Sequence, residues 1–457
     1  MTINIIFILY LFFELIQKVK IKSSTINIKF MKYISSTIND YLLSNYNNDI
    51  YISLKVGNPH QNIEKIFLKS DTYEFMIANK TIEKNNYNNS ESYTTKKIAL
   101  SQYYQLKYTY KGYAIKDHFY LNNQNNKIKE LQNITFLYAS KINFEKFTAV
   151  LGLKLDEGGV KKVKPFPEQL NELKYLEEST WMIQYTSDNE GNFFLGEILS
   201  KNVFPKFSLD EYRKRNVIIS GHYLSWDLLF SQIKYNNIIL NGPLQANLDF
   251  NFGLISCSNE YYNNIKNDFF NEYLDKGICQ EYLYDYENEE KKIESIKNTF
   301  NYIICENSLK IKKFPELYFY HTELDFVFEL NYKDFFLTYN DKIYFLCINV
   351  IKTNDKWVFG KPFFKKYNLI FDYKAKTIGL YGNYSKNKMN WILFEWIIVI
   401  LLFLVFIYLA YTLIRRYRLR NYKTLETILK VHELNEEFDK TYNFKEIKEE
   451  NKIIEDK

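Results

Sequence analysis

Short runs of alternating apolar and polar residues recur over residues 49–382. Tyr51-Ile52-Ser53-Leu54-Lys55-Val56 alternates, breaks at Gly57-Asn58-Pro59 and resumes at Ile63. A period of two sends successive side chains to opposite faces, so such runs predict half-buried strands. Helical spacing is rare, and residues 260–274 carry its best example. Many short strands in one long chain predict a β-sandwich, a barrel or a bilobal β protein. An internal echo favours the last. Leu68-Lys69-Ser70-Asp71-Thr72 and Leu248-Asp249-Phe250-Asn251-Phe252 each follow an extended apolar stretch, and each is followed later by two apolar residues and a glycine, Val150-Leu151-Gly152 and Val358-Phe359-Gly360. A strand, a tight turn and a later apolar-apolar-Gly strand, occurring twice, is the trace that two related lobes would leave.

The two ends read differently. Residues 3–16 are an apolar run broken by Glu14, which assigns residues 1–23 to a signal peptide or an uncleaved anchor. Residues 391–414 are long and apolar enough to span a bilayer as a helix. Arg415, Arg416, Arg418 and Arg420 follow at once, so the positive-inside rule makes residues 415–457 a cytoplasmic tail. The expected topology is a single-pass type I membrane protein of the secretory pathway or cell surface, its body lumenal or extracellular.

Composition adds three points. Glycine (14) and proline (7) are scarce for a β-rich chain of 457 residues, so the abundant Asn and Asp are expected to take over tight turns. The formal charge of +6 forms no basic, aromatic-interleaved stripe in the body, which argues against a nucleic-acid partner. The five histidines are isolated and lack metal-ligand spacing, so neither a metal nor a cofactor is expected. The four cysteines, Cys257, Cys279, Cys305 and Cys347, read as two disulfides in an exported chain, with three connectivities open. Asn79, Asn88, Asn133 and Asn383 each begin a glycosylation sequon, a weak signal in so Asn-rich a chain.

Seven pieces, in order, carry a resemblance to a known family. Val56-Gly57-Asn58-Pro59-His60-Gln61 is similar to the segment that opens pepsin-like aspartic proteases. Tyr223-Leu224-Ser225-Trp226-Asp227-Leu228 and Ile238-Ile239-Leu240-Asn241-Gly242 resemble the strand pair before that family's second active-site loop. Phe359-Gly360-Lys361-Pro362-Phe363-Phe364, Ile370-Phe371-Asp372-Tyr373 and Ile378-Gly379-Leu380 resemble its final motif, and Phe194-Leu195-Gly196-Glu197 fits its central strand. The resemblance implies a mainly β, bilobal pepsin-like fold with one C-terminal transmembrane helix. The N-terminal lobe would span 49–205 and the C-terminal lobe 206–385, with residues 24–48 a short pro-segment or a leading strand. It also implies a Cys305–Cys347 disulfide, leaving Cys257–Cys279 as the second bridge.

In this family each lobe supplies one Asp from an Asp-Thr/Ser-Gly turn, and the two carboxylates share a proton because both cannot ionise side by side. One then acts as general base on a water while the other polarises the scissile carbonyl. Laid on this sequence, Asp249 keeps the second position, with Phe250 where the bracing hydroxyl belongs and Asn251 in place of Gly, as a residue that tolerates positive φ. In the first turn the preferred register puts Lys69 in place of the catalytic Asp, Ser70 at the bracing hydroxyl and Asp71 at the Gly. A Lys69–Asp249 ion pair across the lobe interface is the expected consequence. A rival register makes Asp71 the acid, but it shifts Phe75-Met76-Ile77 out of phase with a half-buried strand. The family's covering hairpin corresponds to residues 103–112, which keep tyrosines (Tyr104 and Tyr108 among them) but only the final Gly112, five residues before Asp117.

Fold-building motifs therefore survive while chemistry-bearing ones are altered in both lobes. The favoured expectation is a catalytically impaired membrane-anchored homologue that binds a peptide or protein in its cleft. The alternatives are an active membrane-bound aspartic endopeptidase, and a surface receptor or structural protein whose cleft has no role.

Overall fold

The alternating run becomes the strand Ile50–Val56, buried at every second position, and it hairpins onto Gln61–Lys69. The computed structural model describes residues 25–33, 41–78, 87–98, 102–105, 109–122, 128–142, 149–155, 163–216, 219–220, 223–285, 296, 298–351, 356–382 and 388–455. The expected signal peptide or anchor at residues 1–23, Tyr108, Asn79 and Asn383 lie outside these. The described body is mainly β and bilobal, with a 14-stranded sheet, an 11-stranded sheet and a separate two-stranded hairpin.

The 14-stranded sheet joins the lobes. Thr180–Tyr185 pairs with Asn368–Asp372 through Thr180↔Asp372 and Trp181↔Phe371. Glu190–Gly196 and then Thr25–Lys32 extend it on one side, and Thr377–Tyr381 and then Tyr212–Asn216 on the other. Three strands per side about one central pair give the floor of the molecule an approximate twofold. Thr25–Lys32 pairs along its length with Glu190–Gly196 and at its end with Ile50–Val56, so this leading strand is integral to the floor.

Aromatic side chains fill both lobes, as the 18% aromatic content implies. Phe75 packs against Phe119, Phe136 and Phe166 in the first, and Phe319 against Trp357 and Phe359 in the second. Between the lobes Trp181 stacks on Phe371 at 4.1 Å and meets Trp226 and Phe250 edge-on. Burying each such ring contributes about 2–3 kcal/mol, so the lobe interface is a true core. The Trp226 indole N–H also donates to Leu153 O of the first lobe at 2.8 Å.

Asn and Asp do take over turns: Asn133, Asn236, Asp325, Asn340 and Asp341 all have positive φ, alongside Lys174 and Lys376. Asn251 does not belong to that set, so its place in the Asp249 turn is not owed to backbone tolerance. The helical spacing noted at residues 260–274 corresponds to Asn259–Ile265, a π turn at Lys266–Phe270, and Asn271–Asp275.

The cysteine pairing differs from the one the resemblance implied. Cys279 bonds Cys305, not Cys257, and Cys347 is free, as is Cys257. The ladder explains it. Cys279 stands directly opposite Cys305 on adjacent antiparallel strands, and the other neighbour of Cys305 is Ile343. Cys347–Val350 touches that strand only further along, at Phe300↔Val350 and Asn301↔Asn349.

Residues 383–457 form a second compact unit, a single helix Lys388–Glu455. Within it Val399–Thr441 contains a window of mean hydropathy 2.0, long and apolar enough to cross a membrane. Leu402, Phe403, Phe406 and Tyr408 are each more than 60% exposed, as apolar side chains on a lipid-facing helix are. The charged tail continues the same helix.

Candidate active site

Two turns meet through hydrogen bonds, and strand register relates them. In the first lobe Leu68 and Phe75 are both partners of Leu151; in the second, Leu248 and Ile255 are both partners of Phe359. The chain takes the same seven steps between partners in each turn, 68 to 75 and 248 to 255. Lys69 and Asp249 are therefore structural equivalents, as are Ser70 and Phe250, Asp71 and Asn251, and Tyr73 and Gly253. The glycine ending each apolar-apolar-Gly strand has a matching reason. A Cβ on Gly152 would lie 2.4 Å from Thr72 O, and one on Gly360 2.2 Å from Phe252 O, so each turn crosses its glycine with no room for a side chain.

The equivalent side chains do different things. The Lys69 amine pairs with Asp49 Oδ1 at 2.5 Å, in a largely buried ion pair. The ion pair expected with Asp249 is thus replaced by one with Asp49, just before the strand Ile50–Val56; toward Asp249, Lys69 acts as a through-space charge. Asp249 Oδ1 accepts from Ser70 Oγ and, at 2.9 Å, from Asn251 N. Burial pushes the Asp249 carboxyl above its ordinary range. The Ser70 hydrogen bond opposes this, the Asp71 charge adds to it, and Asn251 N–H and Lys69 oppose it more weakly.

Asn251 holds the two turns together. Its Oδ1 accepts from Ser70 N at 2.7 Å and its Nδ2 donates to Leu68 O at 2.8 Å. One amide thus satisfies a donor and an acceptor flanking Lys69, which an acceptor-only carboxylate could not do. Phe250 turns away into the interlobe aromatic core and is fully buried. Ser70, its equivalent, turns its hydroxyl to the facing turn, onto Asp249 Oδ1 and, at 3.0 Å, Asn251 Oδ1.

A segment that sequence reasoning did not connect to the site covers the second turn from outside. Asn48 is fully buried; its N–H donates to Asn251 O at 2.6 Å, and its Nδ2 donates to Phe250 O at 2.7 Å and to Tyr185 Oη at 2.5 Å. Gly253 N donates to Tyr46 O at 2.9 Å, and a Cβ on Gly253 would sit 1.7 Å from Asn45 O. The helix Tyr41–Tyr46 carries Leu42 and Tyr46 into a cluster with Phe252, Leu254, Phe300 and Tyr302. Burial, eased by the Asn298 amide, raises the Tyr46 hydroxyl to about 12. The only sequence signal for this cover was its position just before the first alternating strand.

The strand Gln102–Gln105 pairs with Thr109–Asn122, with Tyr104 opposite Tyr110 and Gln102 opposite Gly112. Gly112 lets the hairpin cross the next strand, since a Cβ there would lie 2.3 Å from Tyr138 O. Buried Asp117 anchors the base. It accepts from Thr95 Oγ1 and His118 N, both at 2.8 Å, and from the hydroxyls of Tyr87 and Thr94. Burial and Asp117 together push the Tyr87 hydroxyl far up, so it stays a donor.

A sequence-family model described as eukaryotic aspartyl protease matches residues 51–382 of this chain. That range begins in the first alternating strand and ends at the last strand of the interlobe floor. Among curated proteins, no significant match is found.

Proposed function

The chain belongs to the eukaryotic aspartyl protease family, and we propose that it is a catalytically impaired, membrane-anchored homologue that binds a peptide or protein in its cleft. One observation carries this reading. The residue equivalent to Asp249 is Lys69, whose amine is held by Asp49. Hydrolysis by this class needs one carboxylate to take a proton from water while its partner donates one. With Lys69 opposite, Asp249 has no carboxylate at the equivalent position with which to share a proton. The two facing turns are nevertheless held together by Asn251 and Ser70, which supports binding without turnover. The Arg415–Arg420 cluster after the apolar stretch supports a type I orientation, and the Cys279–Cys305 bond supports an oxidising lumen for the body.

A second reading has one observation in its favour. The Asp71 charge adds to the rise in the proton affinity of Asp249, so a second carboxylate acts on Asp249 from the first turn, and an endopeptidase using Asp71 and Asp249 is the reading this favours. The full chain in detergent, incubated with a peptide library from pH 3 to 7, separates the two. Retention of peptides without cleavage is the expected result. Cleavage abolished by Asp249→Asn overturns the impaired reading, and its further loss in Asp71→Asn assigns the second acid.

A further inference from the structure

Cys257 and Cys347 meet on the strand that leaves the Asp249 turn. Ile255–Ser256 runs parallel to Cys347–Val350, with Ile255 opposite Cys347 and Ser256 opposite Ile348. Cross-strand partners share a face, and so do residues two apart on one strand. Cys257 and Cys347 therefore project from the same face, one pleat apart. Cys257 N donates to Ile348 O at 3.0 Å and its Sγ lies 3.5 Å from the same oxygen, so the thiol leans over the neighbouring strand. There it lies within electrostatic reach of the Cys347 thiol. Both residues are buried, at 3% and 0% exposure. Tyr261 and Tyr262, from the helix that begins two residues after Cys257, lie within electrostatic reach of both thiols. Asn349 Nδ2 ties the same corner to Asn259 Oδ1 at 2.9 Å.

We propose that Cys257 and Cys347 form a second disulfide of the mature protein, giving the connectivity Cys279–Cys305 and Cys257–Cys347. This rests on the reading of the body as lumenal or extracellular. Of the three connectivities open to four cysteines, it is the one that keeps the Cys279–Cys305 bond and joins the two remaining thiols, which share a face of neighbouring strands. The reaction is thiol–disulfide exchange with an oxidised protein dithiol of the secretory pathway. The Sγ–Sγ bond forms, two protons leave the thiols, and the two electrons reduce the donor's disulfide to a dithiol. Burial pushes the Cys347 thiol up, which keeps it from being the reactive thiolate once folded. The bond therefore forms while the lobe folds and is sheltered from reductant afterwards. Its effect is to rivet the strand leaving the Asp249 turn to the adjacent strand of the 11-stranded sheet, fixing that turn at its exit.

The test is alkylation and non-reduced peptide mapping of the full chain produced through a eukaryotic secretory pathway. Alkylated in denaturant without reductant, the protein is expected to incorporate no label, and the Cys257 and Cys347 peptides to migrate as one cross-linked species. Label on Cys257 and Cys347 with Cys279–Cys305 intact overturns the inference alone. Label on all four overturns it together with the lumenal reading. A Cys305–Cys347 cross-linked peptide overturns it in favour of the pairing implied by the family resemblance.

Discussion

The two facing turns share a backbone plan and differ in their side chains. Each crosses a glycine, Gly152 or Gly360, and each spans the same seven steps between strand partners. In the first, Lys69 points its charge to Asp49 and is neutralised there. In the second, Asp249 keeps its carboxyl where burial disfavours the charge. The first turn is braced by its neighbour through Asn251, whereas the second is braced from outside by Asn45 to Asn48. A pseudo-twofold thus conserves geometry without conserving chemistry, because ladder hydrogen bonds involve only main chain while proton sharing needs two particular side chains.

The comparison breaks most visibly at Gly253, whose first-lobe equivalent is Tyr73. Gly253→Ala drives a Cβ into Asn45 O and is expected to destabilise the body by about 3 kcal/mol, read as a fall in urea midpoint of the full chain in detergent. No change would mean that the segment before residue 49 does not cover the turn in solution.

Lys69 and Asp249 should respond with opposite sign although they are equivalent. Lys69→Met removes one partner of a largely buried pair and leaves the Asp49 charge uncompensated, at a cost of about 2–3 kcal/mol at neutral pH. A neutral result would place Lys69 and Asp49 in solvent rather than in a pair.

The smallest effect sharpens the comparison most. The native Asp249 carboxyl titrates above its unfolded value, so the folded state binds more protons than the unfolded one between those two values. Stability from this group therefore falls as pH rises through that window. Asp249→Asn is expected to remove that slope and to match or exceed wild-type stability above it, measured as the difference between the two unfolding curves from pH 3 to 7. A variant less stable than wild type at neutral pH would show that the ionised carboxylate is favoured by its partners.

Much of the fold was legible in order along the chain. Alternation announced Ile50–Val56, and the repeated apolar-apolar-Gly signature announced two lobes, because both follow from local burial of one strand face. The candidate site was legible only as a set of positions. Lys69 and Asp249 stand out by alignment of the two echoes, but nothing nearby in sequence names Asp49 as the partner of Lys69 or Asn251 as the brace. Asn251 reads as a glycine substitute until its amide is seen between Leu68 and Ser70, more than 180 residues away. The cysteines make the same point: family spacing favoured Cys305–Cys347, and strand register put Cys279 opposite Cys305.

By itself, then, the sequence determined the β pattern, the two related lobes and the apolar helix followed by arginines. Those are properties of residue identity and local periodicity. Only the tertiary structure decided where the Lys69 charge goes, which residue braces the turns, what covers Gly253 and which cysteines meet. Each of those is a contact between segments far apart in the chain, fixed by strand register and by hydrogen bonds among buried polar groups.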